Sequence, residues 1–137
     1  MSPEHRHVVG HGVDLVEVAR ISRLLADHGD HFLERVFTAH EQGAADAVGP
    51  RRAERLAARF AAKEATLKAI GTGLRSRMCW TDMEVVTLPS GAPSLRIAGE
   101  VQRVAENLGI SGWSISLSHA GGFAIASVIA HSASPQG

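Results

Sequence analysis

Residues 60–68 read Phe60-Ala61-Ala62-Lys63-Glu64-Ala65-Thr66-Leu67-Lys68, three charged groups set into an otherwise apolar run. Advancing 100° per residue from Leu56, Phe60 falls at about 40°, Leu67 at about 20° and Ile70 at about −40°. Lys63 falls at about −20°, inside that apolar stripe, where an ammonium is costly unless it snorkels or meets an anion. Glu64 and Lys68 lie on the stripe's flank as an i,i+4 pair, which by itself is a surface ion pair worth about 0.3–0.5 kcal/mol. Asp14 is the second anomaly, a carboxylate within Val8-Val9-Gly10-His11-Gly12-Val13-Asp14-Leu15-Val16. Burying it unpaired would be expensive, so it is a helix cap, a salt-bridge partner or a metal ligand. One Asp and one Glu without nearby His or Cys suit a hard cation such as magnesium. That ion takes oxygen ligands and completes its shell with water and substrate phosphates.

Weaker signals lie around this pair. Gly71-Thr72-Gly73 is a helix stop or, beside Lys63, Lys68, Arg75 and Arg77, a place where backbone amides approach a phosphate. It lacks the Gly-x4-Gly-Lys pattern of a P-loop. His119 ends Ser116-Leu117-Ser118-His119 before a Gly-Gly pair, as a structural residue or a phosphate or adenine contact. Arg20 and Arg23 share a helix face, as solvated side chains or as a docking site. His5, His7 and His11 are not expected to form a metal site, nor is Cys79 expected to be a nucleophile.

The elements that must position these groups can be read from periodicity. Residues 8–16 form a strand broken by Gly10 and Gly12, and residues 17–28 a helix with Val18, Ile21, Leu24 and Leu25 at helical spacing. Thr38 with Glu41 is a capping box opening a short helix over 39–47. A long helix over 51–70 stops at Gly71. Strands at 82–88 and 94–97 form a hairpin around Pro89-Ser90-Gly91. A helix over 100–108 ends at Gly109. Trp113, Ile115, Leu117 and His119 alternate with Ser114, Ser116 and Ser118 in a further strand. Gly121-Gly122 then turns the chain into a last strand over 123–130. The fold class is α+β, mainly antiparallel sheet against a long central helix. Residues 1–137 make one domain, with 1–6 and 131–137 as flexible tails.

Composition sets outer bounds. Fourteen basic and fourteen acidic side chains cancel, and 45% of residues are apolar, as in a soluble globular chain. Neutrality excludes a broad nucleic-acid-binding surface. It conceals a pattern: residues 49–77 hold eight basic and two acidic side chains, including both lysines of the chain. Such local charge suits a discrete anion. No apolar run approaches the roughly 20 residues that span a bilayer. A lone cysteine permits no internal disulfide and suits a reducing, cytoplasmic setting.

Gly12-Val13-Asp14-Leu15-Val16-Glu17-Val18, Arg59 to Ala69 with Gly71-Thr72-Gly73 behind it, Trp80-Thr81-Asp82-Met83-Glu84-Val85 and Ser116-Leu117-Ser118-His119 stand in a familiar order. Over about residues 8–130 the chain resembles the holo-acyl-carrier-protein synthase branch of the 4′-phosphopantetheinyl transferases. The resemblance implies that fold and a magnesium-dependent transfer of 4′-phosphopantetheine from coenzyme A to a carrier-protein serine, with adenosine 3′,5′-bisphosphate released. It implies Asp14 and Glu64 as metal ligands, with Lys68 and Lys63 on phosphate oxygens. Residues 71–73 and His119 would line the nucleotide side. Glu64 or a water on the metal would be the base. Arg20 and Arg23 would dock an acidic acyl carrier protein. Members of this short type are homotrimers with active sites at subunit interfaces. A non-catalytic relative that binds coenzyme A or a carrier is the alternative. The carrier could belong to fatty-acid synthesis or to secondary metabolism.

Overall fold

In a computed structural model, residues 6–46 and 51–133 are described. The chain runs β1 (His7–Glu17), α1 (Val18–Val36), α2 (Ala39–Asp46), α3 (Arg52–Ile70), β2 (Met83–Thr87), β3 (Pro93–Ile97), α4 (Gly99–Asn107), β4 (Gly112–Ala120) and β5 (Phe123–Ser132). Strands β1, β5 and β4 form one antiparallel sheet in that order, and β2–β3 is a separate antiparallel hairpin.

Helix α3 is the centre of the packing. Leu56, Phe60, Lys63, Leu67 and Ile70 are all buried, as the stripe requires, but so are Ala57, Ala58, Ala61, Ala62, Ala65 and Ala69. Small residues on its remaining faces let neighbouring backbones come close. The glycines of β1 serve the same approach. A Cβ at Gly10 would stand 1.9 Å from the Ala69 carbonyl oxygen, and one at Gly12 equally close to that of Ala65. The strand runs through both glycines, with one register shift between Val8 and Gly10. The two glycines seat it on α3, and Asp14 follows two residues later on the same face.

The capping box at Thr38 forms as read. The Glu41 amide donates to Thr38 Oγ1 (3.2 Å) and the Thr38 amide to Glu41 Oε1 (3.0 Å). Gly71 ends α3 in the left-handed region (φ 78°). The Gly121–Gly122 pair, with φ of 60° and 83°, makes the two-residue β4–β5 turn. On β4, Trp113, Ile115 and Leu117 pack on the core while the serines between them face out.

Two boundaries differ from expectation. Helix α1 does not stop at residue 28: Gly29 (φ 49°, ψ −124°) kinks it, and it resumes because Phe32, Leu33 and Val36 bury against the core. Residues 131 and 132 are not a tail, since His131 pairs with Val8 and Gly112, and Ser132 with His7. Of the tails read over 1–6 and 131–137, Ala133 also bonds back, its amide donating to Ser111 Oγ (2.9 Å), while 1–5 and 134–137 lie outside the described residues, as does the end of the helix read over 39–47.

Candidate active site

Strand β1 and the C-terminal half of α3 bring Asp14, Glu64 and Lys68 together. Lys68 Nζ donates to Asp14 Oδ1 (2.9 Å) and to the Val13 carbonyl (3.1 Å). Asp14 is nearly covered, its side chain 12% exposed, while Lys68 reaches in from the surface at 54%. An ammonium has three donors, so one remains for a ligand. Glu64 lies one turn before Lys68, half-buried. Burial pushes its carboxyl above the usual range and the neighbouring Asp14 charge adds to this, against the pull of Arg20 and Lys68. A half-buried carboxyl whose ionisation is disfavoured beside a second carboxylate forms a site that a cation would relieve. The donor set is all oxygen, a pair of carboxylates, and no group of three or more His, Cys, Asp or Glu side chains gathers here or elsewhere among the described residues. Two carboxylates fit magnesium, which keeps water and phosphate ligands, better than zinc, which takes nitrogen and sulfur.

Lys63 does not join this site. Its side chain is fully buried, and Nζ donates to Glu41 Oε1 (2.7 Å), the Trp80 carbonyl (3.1 Å) and the Met83 carbonyl. All three donors are used, so none is left for a phosphate. The anion that the apolar stripe demanded is the protein's own Glu41. That carboxylate also accepts from the Thr38 amide and, through Oε2, from the Val85 amide (2.8 Å). Burial pushes Lys63 below the usual lysine range, with Glu41 opposing.

A cleft of about 380 Å³ opens at the other end of α3, against the β2–β3 hairpin and the end of β4. Arg51, Arg55, Arg59 and His119 are among its lining residues. The Nε atoms of Arg55 and Arg59 are buried without a hydrogen-bond partner among the described residues. Burial pushes the Arg59 guanidinium below its usual range, Glu41 opposes this, and Arg55 adds to it. Buried donors of this kind are costly until a ligand meets them.

A family model described as the 4′-phosphopantetheinyl transferase superfamily matches residues 10–128. The chain belongs to this superfamily. It is 45% identical to the holo-[acyl-carrier-protein] synthase of Koribacter versatilis, an alignment covering 89% of this chain and 97% of that protein. It is 50% identical to that of Frankia casuarinae, over 90% and 97%. Among solved structures, the holo-(acyl-carrier-protein) synthase from Bacillus anthracis in complex with CoA (3′,5′-ADP) superimposes with a TM-score of 0.75. The two chains are 36% identical, with 91% of this chain and 97% of that one covered. The phosphopantetheinyl transferase fold thus accounts for the α+β architecture.

Within this superfamily fold, other expected site residues fall in separate places. The Gly71 amide donates to the Leu67 and Lys68 carbonyls and the Thr72 amide to Leu67, so both close the end of α3 rather than face a phosphate. Gly71 and the His119 neighbour Glu54 are separated by about 25 Å of helix at 1.5 Å per residue. Residues 71–73 and His119 therefore do not line one cleft within a chain. Arg20 stands 5.6 Å over the Phe60 ring and beside Glu64. It edges an apolar groove of about 430 Å³ with Leu24, Phe32, Phe60 and Trp80. Arg23 instead reaches Glu17 (3.5 Å) in an exposed ion pair. Sequence reading gave Glu41 only its place in the capping box, not as the partner of Lys63, and assigned Arg55 and Arg59 no place in a site. The i,i+4 spacing of Arg51, Arg55 and Arg59 was the signal available.

Proposed function

We propose that this protein transfers the 4′-phosphopantetheine arm of coenzyme A to a serine hydroxyl of an apo acyl carrier protein. The observation that carries this reading is the Asp14–Lys68–Glu64 cluster, two neighbouring carboxylates and a lysine with a free donor, on a chain of the phosphopantetheinyl transferase superfamily. The serine oxygen forms a bond to the phosphorus that carries pantetheine. The bond from that phosphorus to the bridging oxygen breaks, and adenosine 3′,5′-bisphosphate leaves. Asp14 and Glu64 would hold magnesium, which when bound supplies charge neutralisation at the pyrophosphate. Lys68 steadies a phosphate oxygen as a point charge through its third donor. Glu64, directly or through a water, would accept the serine proton. The nucleotide phosphates meet the buried donors of Arg55 and Arg59, with His119 at the rim. Incubation with coenzyme A, magnesium and apo carriers, followed by mass spectrometry, tests this. A phosphopantetheine-sized gain on the carrier is expected. Its absence on every carrier tried, with coenzyme A still bound, would leave a binding protein rather than a transferase.

The carrier docks on the groove beside Arg20, whose guanidinium adjoins Glu64 and so places an acidic partner near the reacting phosphorus. Arg20→Glu is expected to raise KM for the carrier at least tenfold and KM for coenzyme A less than twofold. Complementary charge acts mainly on association, so the effect should shrink at high salt. Equal changes for both substrates would count against docking here.

The assembly is read as a homotrimer. Val13, Leu15, Phe123 and Ile125 expose 41–56% of their surface on the sheet face turned away from α3, with Leu15 directly opposite Ile125. Apolar surface of this kind marks an interface. Read as in the short type of this family, the active sites would lie between subunits. Leu15→Asp is expected to convert the trimer to monomer in analytical ultracentrifugation and to remove most activity. A wild-type chain that sediments as a monomer would overturn the assembly. No helix among the described residues is long and apolar enough to cross a membrane. The exposed free Cys79 fits a cytoplasmic setting.

A further inference from the structure

The arginine cleft contains one group of the wrong sign. Glu54 sits on the first turns of α3 between Arg51 and Arg55 and lines the same cavity. A carboxylate in a wall that receives phosphate repels its ligand, and the simplest expectation is that a neighbouring arginine neutralises it. No arginine among the described residues forms an ion pair with it. Its one ion-pair contact there is with His119, whose Nδ1 lies 3.4 Å from Glu54 Oε2. Both side chains are only partly covered, at 33% and 49% exposure. The distance is long for a hydrogen bond, as such contacts often are before substrate binds. The two nitrogens of an imidazole are not equivalent, and the partner of one decides what the other presents.

We infer that Glu54 is a positioning residue: it takes the Nδ1–H of His119 and thereby fixes Nε2 as the ring nitrogen offered to the nucleotide. In that tautomer Nε2 is an acceptor, which fits an exocyclic amino group on the adenine. The inference rests on the reading of this cleft as the nucleotide site. The alternative for Glu54 is that it only stabilises the positive N-terminal end of α3, as an acidic first-turn residue does.

Three substitutions separate these roles. Glu54→Ala removes both charge and acceptor. Glu54→Gln removes the charge but keeps an acceptor of the same reach. Glu54→Asp keeps the charge at the helix end but falls short of His119. The readouts are KM for coenzyme A, kcat, the Kd of adenosine 3′,5′-bisphosphate by calorimetry, and Tm. Glu54→Ala and Glu54→Asp are expected to raise KM and Kd five- to twentyfold with kcat changed less than threefold. Glu54→Gln should stay within threefold of wild type. In a His119→Ala background, Glu54→Asp should add less than twofold. A helix-end role predicts the reverse order, with Asp harmless and Gln as damaging as Ala in Tm, and that result would overturn the inference. So would effects of Glu54→Asp and His119→Ala that multiply in full. If His119→Ala raises KM but Glu54→Asp does not, the positioning role fails while the nucleotide cleft stands. If neither His119→Ala nor Arg55→Ala affects the bisphosphate, the cleft reading itself fails.

Discussion

Glu64→Gln is expected to lower transfer by about 10³-fold, the scale on which a positioned acid–base group acts. The substitution removes one of the two charges that face the reacting phosphates and leaves the side-chain volume intact. It should not cost stability. The folded-state pKa of Glu64 is raised by burial first and by Asp14 second. A carboxyl raised in this way contributes stability only while it is protonated, and that contribution is lost as pH rises through the folded value. Near neutral pH the ligand-free fold therefore bears the cost of an ionised Glu64, and the neutral amide relieves it. The Tm of Glu64→Gln at neutral pH should equal or slightly exceed that of wild type. Activity should fall toward acid pH, where protonation would remove Glu64 both as proton acceptor and as metal ligand. Millimolar magnesium should raise the Tm of wild type and leave Glu64→Gln unmoved, because only a group that binds the folded state stabilises it. Full turnover in Glu64→Gln, or an unchanged magnesium response, would remove Glu64 from the site.

Lys63→Met has the opposite profile, a large loss of stability with chemistry secondary. Lys63 and Glu41 are both fully buried, 2.7 Å apart. Removing one partner of such a pair leaves the other charge uncompensated and costs about 3–5 kcal/mol. For a chain of this size that is a fall in Tm on the order of 10–20 °C. The damage should spread, because Nζ also holds the Trp80 and Met83 carbonyls, and Trp80 lines the groove beside Arg20. Adding Glu41→Gln should recover part of the loss. The amide oxygen still accepts a hydrogen bond from the Thr38 or Val85 amide without leaving a buried charge. A direct phosphate role would instead give a normal Tm and a raised KM for coenzyme A.

The two helices α2 and α3 were legible because what defines them is local: the Leu56–Phe60–Leu67–Ile70 stripe and the Gly71 stop for α3, and the Thr38–Glu41 capping box for α2. The outer part of α1 was not, because Gly29 is a local stop signal overridden by the burial of Phe32, Leu33 and Val36. The β1 glycines were read only as breaks, which the register shift at Gly10 bears out in part, and their packing role was not legible for a related reason. Their purpose is the approach of a helix more than fifty residues away in the chain.

Of the site, the sequence by itself determined which residues were anomalous: a carboxylate in an apolar strand, a lysine in an apolar stripe, and a basic segment in a neutral chain. It did not determine what each meets. Asp14 and Lys68 are 54 residues apart and Lys63 and Glu41 are 22 apart, so no local periodicity encodes either contact. The two lysines sit five positions apart on one helix and do different work. About 140° of helical rotation turns one into the core and the other to the surface. The tertiary structure alone decided that Lys63 spends all three donors inside the protein. Lys68 spends two and keeps one for a ligand.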